Sequence, residues 1–217
     1  MSVTIAEELL LLAYSEEEGK QLISATQLDP ALGGAILAEL AVNERVALYG
    51  KKVSVVSATP LGDDELDATL ARIAAEGKER RPDWWVQRLH STKLRRRLLT
   101  RLAESGVLTE ERGKVLGIFP TTRWPEADGR VEAEVRQRVG DVLAGAEPDA
   151  RTAVLIAVMY AAKLDRKAFP GASRKRVKEI AEGEWAGDAV AKTIAAINSV
   201  VVIAASTAAM GAISSGN

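Results

Sequence analysis

The densest chemistry in this 217-residue chain is cationic. Nine basic residues stand between Lys78 and Arg101 (Lys78, Arg80, Arg81, Arg88, Lys93, Arg95, Arg96, Arg97 and Arg101), against two acids, Glu79 and Asp83. That segment carries +7 in 24 residues, and because the whole chain totals −1, the rest must carry −8. Arginine offers a planar fork of donors that grips phosphate at two points, and lysine adds a compact point charge. The chemistry on offer is therefore anion binding.

Helical spacing sorts the run into faces. Leu94, Leu98 and Leu102 recur every fourth residue and are expected in the core. Lys93, Arg97 and Arg101 form a neighbouring basic stripe, while Arg95 falls near the core boundary, where an arginine can shape a pocket. A charge run is most often a solvated face, so two functional readings stand beside that plain one. The first is an anionic phospholipid surface. Each basic residue near such a surface contributes about 1 kcal/mol, so four or five give roughly millimolar affinity. A working membrane binder then also needs a phosphate pocket, an inserted apolar loop or avidity. The second is nucleic acid: a basic helix, Gly106 and a two-strand ribbon over 107–119 have the outline of a winged helix, although a pI near 6.0 weighs against it.

Other chemistry lacks its parts. There is no cysteine and one histidine, His90, which excludes disulfides, thiolate metal sites, a His–His metal site and a cysteine nucleophile. A Ser–His–Asp triad would need His90, and there is no GxSxG elbow, Walker A loop or GxGxxG after a strand. No enzyme, cofactor or metal is expected.

The elements that must position the basic run read as mostly helical. Alanine, the best helix former, occurs 36 times. Thr4 to Glu7 form a capping box opening a helix through Ala13, and Asp29-Pro30 reads as an N-cap and first helical residue for the helix carrying Leu32, Ile36, Leu37 and Leu40. Runs over 45–49 and 52–57 joined at Gly50-Lys51 predict a β-hairpin. Asp63 and Asp64 open a helix with Leu66, Leu70 and Ile73 on one face, followed by helices over 84–90 and 91–105 closed by Gly106. Residues 107–109 and 114–119 read as strands around a turn at 111–113. Pro120–Pro125 reads as a loop in which Trp124 packs or, alternatively, touches a membrane. Helices follow over 131–143, 148–163 and 173–182.

No charge occurs after Lys192, so the apolar segment from Ala189 is expected to be a helix buried by the others, with a tail anchor as the alternative. Residues 1–217 are expected to form one domain. Glu7 and Glu8 interrupt the first apolar stretch and no basic n-region precedes it, so no secretory signal is expected. Trp84 and Trp85 are expected to anchor a helix start in the core, and Arg174, Lys175, Arg176 and Lys178 a solvated helix start.

The order of several stretches resembles the Golgi phosphoprotein 3 family: EELLLLAYSEEEG at Glu7–Gly19, GGAILAELAVNERVAL at Gly33–Leu48, LLTRLAESGVL at Leu98–Leu108, FPTTRWP at Phe119–Pro125 and AVLIAVMYAAKL at Ala153–Leu164. The resemblance implies a mostly α single globular domain with a buried apolar C-terminal helix and one or two small β-hairpins. It also implies a non-enzymatic peripheral membrane protein. Eukaryotic members bind phosphatidylinositol 4-phosphate through a tryptophan and three arginines, aided by an apolar hairpin, and act as adaptors for protein cargo.

On this chain the family's helix arginine matches Arg95, while Thr92 and Gly33 stand where two others belong and Ser24 near the tryptophan. The hairpin turn is short, Gly50-Lys51-Lys52. Composition suggests a bacterial-type relative. The expected headgroup site is thus Arg95, Thr92 and Gly33, with Lys93, Arg96 and Arg97 supplying field and Lys51 and Lys52 closing it from the hairpin. The expected place is the cytoplasmic membrane face. The expected partner is an anionic phospholipid or phosphoinositide, with a protein-interaction adaptor lacking lipid specificity and a winged-helix DNA binder as alternatives and a homo-oligomer left open.

Overall fold

The computed structural model describes residues 3–115 and 118–182. The segment expected to form the C-terminal helix lies outside the described residues. The fold is mostly α, with two small antiparallel two-stranded sheets.

Three helices make its centre. In α1 (Ile5–Ala13) every residue is buried, including Glu7 and Glu8. It opens on the expected capping box: Thr4 Oγ1 accepts from the Glu7 amide, and the Glu7 carboxylate accepts from the Thr4 amide at 2.8 Å. α2 (Ala25–Val42) and α7 (Ala150–Ala161) are also almost wholly buried, and the three pack on one another. Helices apolar on all sides cannot face water, so shorter amphipathic helices cover them. α3 (Asp64–Ala75), α4 (Pro82–Leu89) and α5 (Thr92–Glu104) pack on α2, α6 (Arg130–Leu143) packs on α1, and α9 (Arg174–Glu182) packs on α7. The short α8 (Asp165–Ala168) was not foreseen.

α2 begins earlier than the Asp29-Pro30 signal suggests. Ser24 and Gln27 form a capping box, so the helix starts at Ala25 and carries Pro30 inside it. Asp29 is thereby released from capping and sits buried in the second turn. β1 (Val46–Tyr49) and β2 (Lys52–Val55) form the predicted hairpin across Gly50, whose φ of +63° suits glycine.

The second hairpin is shifted. Val107 and Leu108 are buried and close α5 through amide bonds to the Leu102 carbonyl after Gly106, which has φ +77°. The strands are instead β3 (Glu111–Val115) and β4 (Phe119–Arg123). Glu111, Arg112, Gly113 and Lys114 make up most of β3, so no apolar alternation marks it in the sequence. Trp124 is buried, as loop packing required, and Trp85 is buried beneath a partly exposed Trp84.

Charge locks the centre. Glu8 meets Arg138 at 2.8 Å and Arg151 at 3.4 Å, while Glu39 of α2 pairs with Arg151 and accepts from the Ile5 amide at 2.7 Å. Removing one partner of a buried pair leaves the other charge uncompensated. Arg151→Ala is therefore expected to cost about 3 kcal/mol in urea unfolding, whereas Lys178→Ala, which breaks an exposed pair with Glu182, should cost less than about 1 kcal/mol.

Burial pushes the Glu132 carboxyl up to about 7, against the counter-pull of Arg136 and reinforced by Glu16 and Glu126. Its folded pKa lies above the ordinary 4.5. The native state thus keeps a proton that the unfolded chain releases, and this group weakens folding as pH rises from 4.5 to about 7. Glu132→Gln should therefore gain stability relative to wild type between pH 5 and pH 8, read as the difference in urea midpoints at those two values.

Candidate functional site

The basic segment divides once its partners are traced. Arg101 reaches inward, its Nε 2.6 Å from Glu7 and its Nη1 2.7 Å from Asp63. Arg97 forks onto Glu65, with the second contact at 2.9 Å. Arg80 meets Glu76 at 3.1 Å, and Arg81 meets Asp83 at 3.2 Å. Arg95 sits 2.8 Å from Asp29, and both side chains are largely buried. Four residues make no ion pair within 4 Å among the described residues: Lys78, Arg88, Lys93 and Arg96. Arg88 and Arg80 instead lie over the Trp84 ring, at 5.3 Å and 4.8 Å from its centroid.

α5 places Lys93 and Arg96 three residues apart on its exposed face, where side chains are neighbours. The helix starts at Ser91, whose Oγ accepts from the Leu94 amide while its carbonyl accepts from Arg95. The first two amides, of Thr92 and Lys93, find no acceptor among the described residues. Thr92 is exposed, and no acid stands in the first turn to oppose an incoming anion.

Arg96 also reaches the second hairpin electrostatically. Glu110, at the base of β3, is held below the usual carboxylate range first by its hydrogen bond to Arg112 and also by the Arg96 charge. That hairpin carries the exposed Lys114 and, at its far end, Ile118, which is 72% exposed. An exposed isoleucine at this strand turn has no counterpart in the sequence reading above. The signal available was the apolar run Val115-Leu116-Gly117-Ile118-Phe119.

The remaining expected residues lie elsewhere. Gly33 is buried where α2 crosses α4: a Cβ there would stand 3.3 Å from the His90 nitrogen and 3.3 Å from the Val86 carbonyl oxygen. It is a close-packing glycine, with no opening to a headgroup. Lys51 and Lys52 are exposed on the first hairpin, which packs mainly on α2 and α3 and bridges Arg80 through Val53. No hydrogen bond or ion pair joins either lysine to the Arg95–Asp29 group.

Behind α5, Arg95 belongs to a small buried polar group. Burial raises Asp29 above its ordinary range, with Arg95 and then His90 pulling it back. Tyr14, at the end of α1, is pushed up to about 12 by burial, with Arg95 lowering it and Asp29 raising it. Although Arg95 Nη1 and Asp29 Oδ1 are in ion contact, neither atom has an aligned hydrogen bond and both are buried.

A cavity of about 270 Å³ opens between α2 and α3, lined in part by Thr4, Glu39, Asn43, Asp63 and Arg151. Its charges already satisfy one another: Glu39 holds Arg151, and Asp63 caps α3 while holding Arg101. Among the described residues no group of three His, Cys, Asp or Glu is placed to hold a metal ion, and no helix is long and apolar enough to cross a membrane.

The family model described as Golgi phosphoprotein 3 (GPP34) matches residues 5–197. The chain belongs to the Golgi phosphoprotein 3 family.

Proposed function

We propose that the protein is a peripheral binder of anionic phospholipid surfaces, seated through the start of α5 and the neighbouring β3–β4 hairpin. One observation carries this reading: Lys93 and Arg96 are adjacent, exposed and free of any ion pair within 4 Å among the described residues, whereas the other arginines of α5 are held directly by carboxylates. Ile118 supplies an apolar contact that can enter the headgroup layer while Lys93, Arg96 and Lys114 stay at its charged surface. Lys51, Lys52, Lys78 and Arg88 extend the positive field from the other side of the basic segment. Family membership suggests phosphatidylinositol 4-phosphate as the headgroup to test and protein cargo as a further partner. It also suggests the cytoplasmic membrane face as the place of action. No step of this function asks for catalysis.

Vesicle flotation tests the reading with neutral vesicles, phosphatidylserine vesicles and vesicles containing phosphatidylinositol 4-phosphate, at low and physiological salt. Binding is expected on anionic vesicles only and should weaken with salt. Lys93→Gln/Arg96→Gln removes two surface charges, worth about 2 kcal/mol together, and should weaken binding about 30-fold. Ile118→Ser should weaken it at least about tenfold through lost apolar burial. Lys175→Gln, on α9, should change nothing. Equal binding to neutral and anionic vesicles, or an undiminished Lys93→Gln/Arg96→Gln variant, sinks the proposal.

A further inference from the structure

We infer that Asp29 is a specificity-determining residue: its carboxylate fills the place beside Arg95 that an external phosphate would need, so the α5 face binds anionic surfaces without selecting a phosphorylated headgroup. This rests on α5 being the anion-binding face.

Three observations meet at this position. First, Arg95 shares a face of α5 with Thr92, three residues before it and in the exposed first turn, but its guanidinium is largely buried and ion-paired with Asp29 at 2.8 Å. Second, the contact is charge against charge without hydrogen-bond alignment, so Arg95 keeps donor capacity that a tetrahedral oxyanion could use. Third, the amides of Thr92 and Lys93 stand free of acceptors at the same helix start. Donors suited to a phosphate are thus present, and the anion that Arg95 faces is internal.

Asp29 holds this place because of the helix start described above. Opening α2 at Ser24 puts residue 29 in its second turn, buried between Tyr14 and the α4–α5 junction. Removing that carboxylate changes what Arg95 must do. A buried arginine without a counter-charge is strongly disfavoured, and its long stem allows the head to reach water. In Asp29→Asn the head should therefore turn outward and join Thr92, Lys93 and Arg96.

The test compares wild type, Asp29→Asn and Asp29→Asn/Arg95→Gln. Each is floated with phosphatidylserine vesicles and with phosphatidylinositol 4-phosphate vesicles of equal surface charge, and each is titrated with inorganic phosphate while the Thr92 and Lys93 amide resonances are followed. Asp29→Asn should bind the phosphomonoester vesicles about tenfold more tightly than wild type, the worth of one charge-assisted hydrogen bond, with phosphatidylserine binding changed less than about twofold. Inorganic phosphate should shift the two amides in Asp29→Asn and leave them still in wild type.

The double variant, with the pair replaced by two neutral amides, should bind all vesicles as wild type does. It also answers the question if Asp29→Asn alone fails to fold. A gain of equal size on both vesicle types overturns the inference, because net charge alone then explains it. So does the absence of a gain, or a double variant as weak as Lys93→Gln/Arg96→Gln, which would mean that Arg95 touches lipid in the wild type. If wild type ignores all anionic vesicles while the phosphate shifts appear in Asp29→Asn, the membrane reading fails and the role of Asp29 stands.

Discussion

The structure depends on two carboxylates placed where water cannot reach them. Glu7 and Glu8 lie side by side in a helix with no exposed face, so each needs a counter-charge brought from another element. Glu7 takes Arg101 from α5, and Glu8 takes Arg138 from α6 and Arg151 from α7, which in turn reaches Glu39 of α2. Apolar packing tolerates some rearrangement of helices around α1. Paired buried charges do not allow it, because a slip strands an ion in the core. The network thus sets the register of four helices on α1, and one of them is the cationic α5.

That constraint decides which cations face the outside. With Arg101 fixed on Glu7, the first turn of α3 comes to lie beside α5, and its Asp63 and Glu65 take up Arg101 and Arg97. Asp29 takes Arg95 from the other flank. What remains exposed and free of any ion pair within 4 Å near the N-terminus of the helix, among the described residues, is Lys93 with Arg96. The arginines of the later turns of α5 are thus engaged by the core and by α3, while its first turns leave charge at the surface.

The helices were legible in the sequence because their signals are local: the Thr4–Glu7 capping box, Asp63 before α3 and Gly106 after α5 appear where short-range chemistry demands them. The leucines at 94, 98 and 102 gave the buried face of α5 correctly for the same reason. What the sequence hid was long-range. Asp29 looked like a cap because Pro30 follows it, and only the stronger box at Ser24 and the presence of Arg95 across the interface give it another task. Arg97 and Arg101 shared a stripe with Lys93 by spacing, yet spacing does not say where acids of other helices stand. Gly33 occupied a family site position but serves helix contact, since its neighbours come from α4. The second hairpin was misplaced because its first strand opens on Glu111-Arg112-Gly113-Lys114, which shows no apolar alternation.

The apparent polarity of the chain changes meaning once these pairs are counted. The segment from Lys78 to Arg101 carries +7, but Glu7, Asp29, Asp63, Glu65 and Glu76, all from outside it, fold back onto its arginines and leave +2. Much of the −8 elsewhere is therefore a matched lining, and the surface field is local. Two to four engaged cations supply about 2 to 4 kcal/mol, well short of the roughly 8 kcal/mol that micromolar affinity requires. In the membrane binding proposed above, the difference would come from apolar insertion at Ile118 or from several copies acting on one surface. A phosphate pocket would be the third source, and here its arginine is already matched by Asp29. For the peripheral binding proposed above, a few weak charges with one apolar contact imply release as ready as engagement, since affinity differences of this kind lie mostly in the off-rate.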